Sequence, residues 1–193
     1  DNREGQARGE TAEEDIEYKE TASSILKLDV YRPVFSAEEK APVILLIHGG
    51  GWISGSKENQ RIMAQNLAEN GFVAITVAYR LSQEAVYPAG VIDIKDAIRW
   101  IKSNAKAYNI DSDKIAVLGT SAGAQLATLV GVTANSETYN EQDEEISSEV
   151  QAIVNIDGIV SFIHPEASAE GEIAGLWLDG SRIENSKNWK EAS

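Results

Sequence analysis

Four short apolar runs set the architecture open to this chain: APVILLI (41–47), FVAITVAYR (72–80), KIAVL (114–118) and VQAIVNI (150–156). Each is close to strand length and is bounded by Pro, Gly or charged residues. Such runs read as strands buried on both faces. Between them lie stretches with helical spacing. Residues 57–70 suit a helix with Ile62, Met63 and Leu67 inward and Gly71 as its stop. From Asp93 to about Ala107, Ile94, Ala97, Ile98, Ile101 and Ala105 recur at helical intervals, and 122–134 is rich in Ala, Leu and Val. Strands alternating with helices predict a mostly parallel sheet covered on both faces, an α/β fold. Ile16–Glu20 and Ser24–Tyr31 read as two further strands, and Glu172–Leu178 as a short helix. The segments 36–42 and 135–149 read as loops.

The chain has 193 residues, which suits one domain. The longest uninterrupted apolar run, Val43–Ile47, is far below the roughly 20 residues of a membrane helix, so no membrane-spanning role is expected. The formal net charge is −14. Residues 1–20 hold eight acids against three bases, and Ile115–Ser181 holds eleven acids with no Lys or Arg. An acidic surface repels phosphate backbones and anionic lipid, so neither nucleic acid nor a membrane is an expected partner. With no cysteine, disulfides and a thiol nucleophile are excluded. No His/Asp/Glu cluster has metal-ligand spacing and no phosphate loop is present, so no metal and no cofactor is expected. The start at Asp1 and the polar opening residues predict a flexible acidic tail over 1–15, ahead of a single domain over 16–193. They lean towards an exported, secreted or periplasmic protein rather than a cytoplasmic one.

The third apolar run leads directly into Gly119-Thr120-Ser121-Ala122-Gly123. A G-x-S-x-G alone is a weak signal, and a capped, glycine-rich turn would explain it. Its place between a buried strand and a helix is what a nucleophile elbow needs, with Ser121 raised above the sheet. Glycines two residues either side relieve crowding between the two backbones. The first apolar run ends in His48-Gly49-Gly50-Gly51-Trp52. Acyl transfer develops an oxyanion, and preorganised N–H donors stabilise it by about 3–4 kcal/mol each. The N–H groups of Gly50, Gly51 and Ala122 are the natural donors. His48 and Gly49 support this loop, and Trp52 either walls the acyl pocket or anchors the loop. Asp93, Asp96 and Arg99 read as local ion pairs on one helix. Trp100 and Trp177 read as packing.

HGGGW, YR at 79–80 and IDSDKIAVLGTSAG at 110–123 together resemble the lipase/esterase branch of the α/β-hydrolase family. They are most similar to the group containing acetyl xylan and feruloyl esterases. The resemblance runs from about residue 16 to the end. It implies an α/β-hydrolase fold, Ser121 as nucleophile and Gly50, Gly51 and Ala122 as the oxyanion hole. It also implies a triad acid and histidine on two later strands, whereas this sequence stops at Trp189-Lys-Glu-Ala-Ser193. About six of eight strands are therefore expected, and the chain alone should be impaired. His48 reads as a brace for the glycine loop, and His164 as a surface residue rather than the partner of Asp157 in an aberrant triad. Asp179 falls at a turn. The implied reaction is hydrolysis of short acyl or aryl esters, with a small ester or an acylated carbohydrate as substrate. A formamidase-like amide hydrolase and a hydrolase-fold domain that binds without turnover are the alternatives. An exposed sheet edge is expected to favour self-association.

Overall fold

The structure is a computed structural model, and it describes residues 10–34 and 40–193. The elements run β1 (Glu10–Glu20), β2 (Ile25–Pro33), β3 (Ala41–Ile47), α1 (Arg61–Glu69), β4 (Val73–Val77), α2 (Ala89–Asn104), β5 (Ile110–Thr120), α3 (Ala122–Val132), β6 (Ala152–Ile156), α4 (Gly171–Trp177) and α5 (Ser186–Glu191). Short 3-10 turns lie at Lys57–Gln60, Glu137–Tyr139 and Pro165–Glu170. Six strands form one sheet in the order β1-β2-β4-β3-β5-β6. β4, β3, β5 and β6 are parallel, and β1 and β2 form an antiparallel flank.

The continuous apolar run of β3 is required because both its faces are covered. Val43, Leu45 and Ile47 pack with α2 and α3, while Ile44 and Leu46 pack with Ala64 and Ala68 of α1. Each such Leu, Ile or Val contributes roughly 1.5–3 kcal/mol by leaving water. Ile94, Ala97, Ile98 and Ile101 are fully buried on α2, as their spacing predicts.

Several expectations are corrected. Residues 10–15, expected in the flexible tail, belong to β1; residues 1–9 lie outside the described residues. Ile16–Glu20 was expected as a strand, but its extension over 10–15 was not, because that stretch holds a single apolar residue, Ala12. Ile62 was expected inward but is 75% exposed. Ala64 and Ala68 hold the buried stripe of α1 instead, with Met63 and Leu67 packed beside them. β6 was expected to be central, yet it is the last strand of the described sheet, and Ile153, Val154 and Ile156 are exposed. Asp93 does not pair with Arg99. It is buried and binds Arg80 (Nη2–Oδ1 2.8 Å) and Lys19 (2.8 Å), while Asp96 takes Arg99 (2.9 Å).

The acidic segment 135–149 is not wholly a solvated loop. Glu141 is buried between Lys95 (2.7 Å) and Arg99 (2.6 Å) of α2 and also accepts from Ser148. Burial alone would raise the Glu141 carboxyl, but these donors hold it below its ordinary value. No helix among the described residues is long and apolar enough to cross a membrane.

Candidate active site

Ser121 sits at the junction of β5 and α3 with φ 53° and ψ −121°, in the left-handed half of backbone space. A non-glycine residue there is strained, and such strain persists only where the surroundings enforce it. Here the enforcement is visible. The Ser121 N–H donates to the Ile156 carbonyl of β6 at 2.9 Å, and its carbonyl accepts from Ala124 and Gln125 of α3. As the first residue of α3, Ala122 offers an N–H that has no acceptor within the helix.

The flanking glycines are needed because three backbones converge. A Cβ on Gly119 would lie 2.0 Å from the Gly123 carbonyl oxygen. One on Gly123 would lie 2.1 Å from the Ile47 oxygen and 2.5 Å from the His48 oxygen. Gly49 is equally confined, since its Cβ would fall 2.7 Å from the Thr120 oxygen. The two loops recognised in the sequence are therefore brought into direct contact, with Gly49 against the residue preceding Ser121.

Gly50 and Gly51 have φ +121° and +62°, and Trp52 has +61°. This left-handed run turns the loop so tightly that the Gly50 carbonyl accepts from the N–H groups of Ile53 and Ser54 and from the Ser54 hydroxyl. The His48 Nδ1 lies 2.7 Å from the Gly49 oxygen. A carbonyl can only accept, so Nδ1 carries the proton and Nε2 is left without one. The His48 ring stacks on Tyr79 at 4.5 Å, and the Tyr79 hydroxyl donates to the His48 carbonyl at 2.8 Å. Burial holds the imidazole below its ordinary value of 6.5, against the opposing effect of the Gly49 bond. His48 is thus committed to the loop. His164 is exposed, and its Nδ1 accepts the Glu166 N–H at 3.3 Å. Asp179 lies in a turn with φ +60°.

Trp52 stands between the cavity beside Ser121 and the core. It lines a cavity of about 70 Å³ together with Gly51, Ser121, Ala122, Asp157, Ile159 and Ile173. It also anchors the loop, stacking on Trp177 at 5.1 Å and donating its indole N–H to the Gln125 side chain at 3.1 Å. Two glutamines missed in the sequence hold this region. Gln125, on the first turns of α3, links Trp52 to the Ala192 carbonyl at 3.1 Å. Gln60 donates to the Thr120 hydroxyl at 2.9 Å and to the Ile47 carbonyl at 3.4 Å, tying together the ends of β5 and β3. Their only sequence signal is polarity on a helix flank, which ordinarily means solvent. No group of three or more His, Asp or Glu among the described residues is arranged to hold a metal ion.

Strand order, elbow and glycine loop together make this an α/β-hydrolase fold. The chain belongs to the BD-FAE family, whose profile matches residues 28–193. It is 36% identical over 137 residues to the probable carboxylic ester hydrolase LipM of Mycobacterium tuberculosis, covering 70% of this chain and 32% of LipM. Among solved structures, a bifunctional GH43-CE protein of Bacteroides eggerthii superposes with a TM-score of 0.81 at 27% identity, covering 94% of this chain and 28% of that one. The thermophilic esterase Est2 of Thermogutta terrifontis, with propionate bound, gives 0.73 at 28%, covering 88% of this chain and 63% of its own. The chain therefore spans about a third of the length of the curated relative and under two thirds of Est2.

Proposed function

We propose that this chain carries the nucleophile and oxyanion half of a carboxylic-ester hydrolase acting on short acyl esters, including those of carbohydrates. One observation carries the reading: the strained backbone of Ser121 is held against the glycine loop at the mouth of a small, mostly apolar cavity. In this reading Ser121 attacks the ester carbonyl, and the N–H groups of Gly50, Gly51 and Ala122 receive the charge that develops on its oxygen. The collapse of that intermediate expels the alcohol and leaves an acyl-enzyme, which water then hydrolyses. In this reading the hydroxyl proton passes to a triad histidine of the kind the resemblance implies on a later strand, while the His48 ring braces the loop at Gly49 and against Tyr79.

Room for a group of only a few heavy atoms beside Ser121 supports a short acyl chain, as does the propionate bound by Est2. The carbohydrate part rests on the likeness of HGGGW and GTSAG to acetyl xylan and feruloyl esterases. Rates of the full-length protein on acetate, butyrate and octanoate esters and on a formyl amide test this. Acetate and butyrate should be cleaved with kcat/KM at least ~10-fold above octanoate, on the order of what a few unaccommodated methylenes cost. Turnover of the formyl amide alone would contradict it.

A further inference from the structure

We infer that Asp157 is a recognition residue of this site: its carboxylate accepts a hydroxyl of a neutral sugar beside the scissile ester and disfavours substrates carrying negative charge there. The inference rests on the esterase reading and gives it a substrate class.

The position follows from the sheet. Thr120 pairs with Ile156 at the end of the β5–β6 ladder, and the Ser121 N–H donates to the Ile156 carbonyl. Asp157 is the next residue, so the nucleophile's own backbone partner holds it beside the elbow. The turn that follows is rigid. Asp157 has φ +59°, and the Gly158 N–H donates to the Asn155 side chain at 2.9 Å. Asn155 in turn donates to Thr128 at 2.8 Å and to the Ala124 carbonyl at 3.3 Å, both on α3. A Cβ on Gly158 would lie 2.4 Å from the Ala124 Cβ, so this turn sits directly on the helix that Ser121 begins.

Asp157 lines the cavity with Ser121 and the apolar Trp52, Ile159 and Ile173 but is itself exposed, so its carboxylate can meet the alcohol part of a substrate whose acyl group fills the cavity. A single charged group beside apolar side chains fixes a ligand's orientation. The buried acids are each matched, Asp29 with Lys57, Asp93 with Arg80 and Lys19, Glu141 with Lys95 and Arg99, whereas Asp157 is exposed. Asp157 has neither a hydrogen bond nor an ion pair through its side chain among the described residues, and no Lys or Arg occurs from Ile115 to Ser181. Its oxygens therefore keep their full accepting capacity, and a hydroxyl bound there makes a charge-assisted hydrogen bond. An anionic substrate would meet a carboxylate that has no ion-pair partner among the described residues.

The test compares the full-length protein with Asp157→Gly and Asp157→Asn. Both replacements tolerate the left-handed backbone, so the fold is spared. The substrates are a mono-acetylated methyl xyloside, ethyl acetate and acetoxyacetate, whose carboxylate lies on the alcohol side of the ester. Asp157→Gly should lower the ratio of kcat/KM for the acetylated sugar over ethyl acetate about tenfold, chiefly through KM, equivalent to ~1.4 kcal/mol. Asp157→Asn should fall between it and the wild type. Both should raise acetoxyacetate relative to ethyl acetate, by about fivefold. Ratios that do not move overturn the proposal, and so does a uniform loss on all three esters, which would place Asp157 in the chemistry. A wild-type protein inert towards all three would overturn the esterase reading and this proposal with it; an active wild type with unmoved ratios overturns the proposal alone.

Discussion

The loops after β5 and after β3 meet at the site, yet Gly123 in one and Gly51 in the other are needed for different reasons. In the elbow, Gly119 and Gly123 keep backbone angles open to any residue, but a side chain on either would overlap a neighbouring backbone at about 2 Å. In the other loop, a Cβ on Gly51 would meet no backbone, only the Ile173 side chain at 3.0 Å, which can shift by a few tenths of an ångström, and what Gly51 needs is a φ of +62°. Gly123 is thus a steric requirement and Gly51 chiefly a conformational one, while Gly49 and Gly50 are confined by backbone oxygens at 2.7 and 2.1 Å as the elbow glycines are. A steric requirement is absolute, because backbone cannot move aside. A conformational one is graded, because Asn and even Ala can enter the left-handed region at a cost.

The largest effect should separate chemistry from packing at the elbow itself. Ser121→Ala should reduce kcat/KM by roughly 10⁴-fold or more, as removal of a catalytic serine does, while the thermal midpoint stays near that of the wild type. Gly123→Ala should do the reverse to the fold. Its Cβ would strike the carbonyls of Ile47 and His48, with an expected loss of about 4 kcal/mol or more by urea unfolding, or failure to accumulate as soluble protein. Gly51→Ala should cost only about 1–2 kcal/mol of stability, and Gly51→Asn less, because Asn accepts the left-handed conformation. If Gly51→Ala proved as damaging as Gly123→Ala, the distinction between the two glycines would fail.

The smallest effect concerns acid. Lys57, just beyond the glycine loop, is bound by Asp15, Asp29 and Glu58 at 2.7–2.9 Å. The Lys57 hydrogen bond pushes the Glu58 carboxyl down to about 2 from its ordinary 4.5. A depressed carboxyl contributes stability that is present above 4.5 and lost as pH falls towards 2. His48, lowered by burial, acts in the same direction from 6.5 downwards, since the unfolded chain takes up the proton first. Hydrogen exchange followed from pH 7 to pH 3 should show residues 48–58 loosening before residues 117–126. The elbow is held by backbone bonds and by Gln60, none of which titrates over that range.

What could be read from the sequence follows the same division between local and distant causes. β3, β5, α2 and α3 were legible because burial on two faces, or on one stripe, leaves a periodic imprint. Both glycine motifs were legible because backbone crowding and left-handed turns admit few residues. The start of β1 was not: Ile16–Glu20 read as a strand, but 10–15 hold one apolar residue and leave no signature. Nor was the exposure of β6, because its apolar run is written for a covered strand. The partners of Asp93 lay out of reach: Lys19 comes from β1 and Arg80 from the segment after β4, and only the fold brings them to α2. Gln60 and Gln125 looked like solvent-facing residues, and their roles depend on Thr120, Trp52 and Ala192, up to 73 positions away.

The central claim is that Ser121 is a nucleophile. Intact-mass measurement of the full-length protein before and after exposure to a fluorophosphonate, followed by peptide mapping, tests it most directly. A single adduct on Ser121, abolished by Ser121→Ala, is the predicted result. A fully folded protein that stays unlabelled, or an adduct on another residue that survives Ser121→Ala, would contradict it.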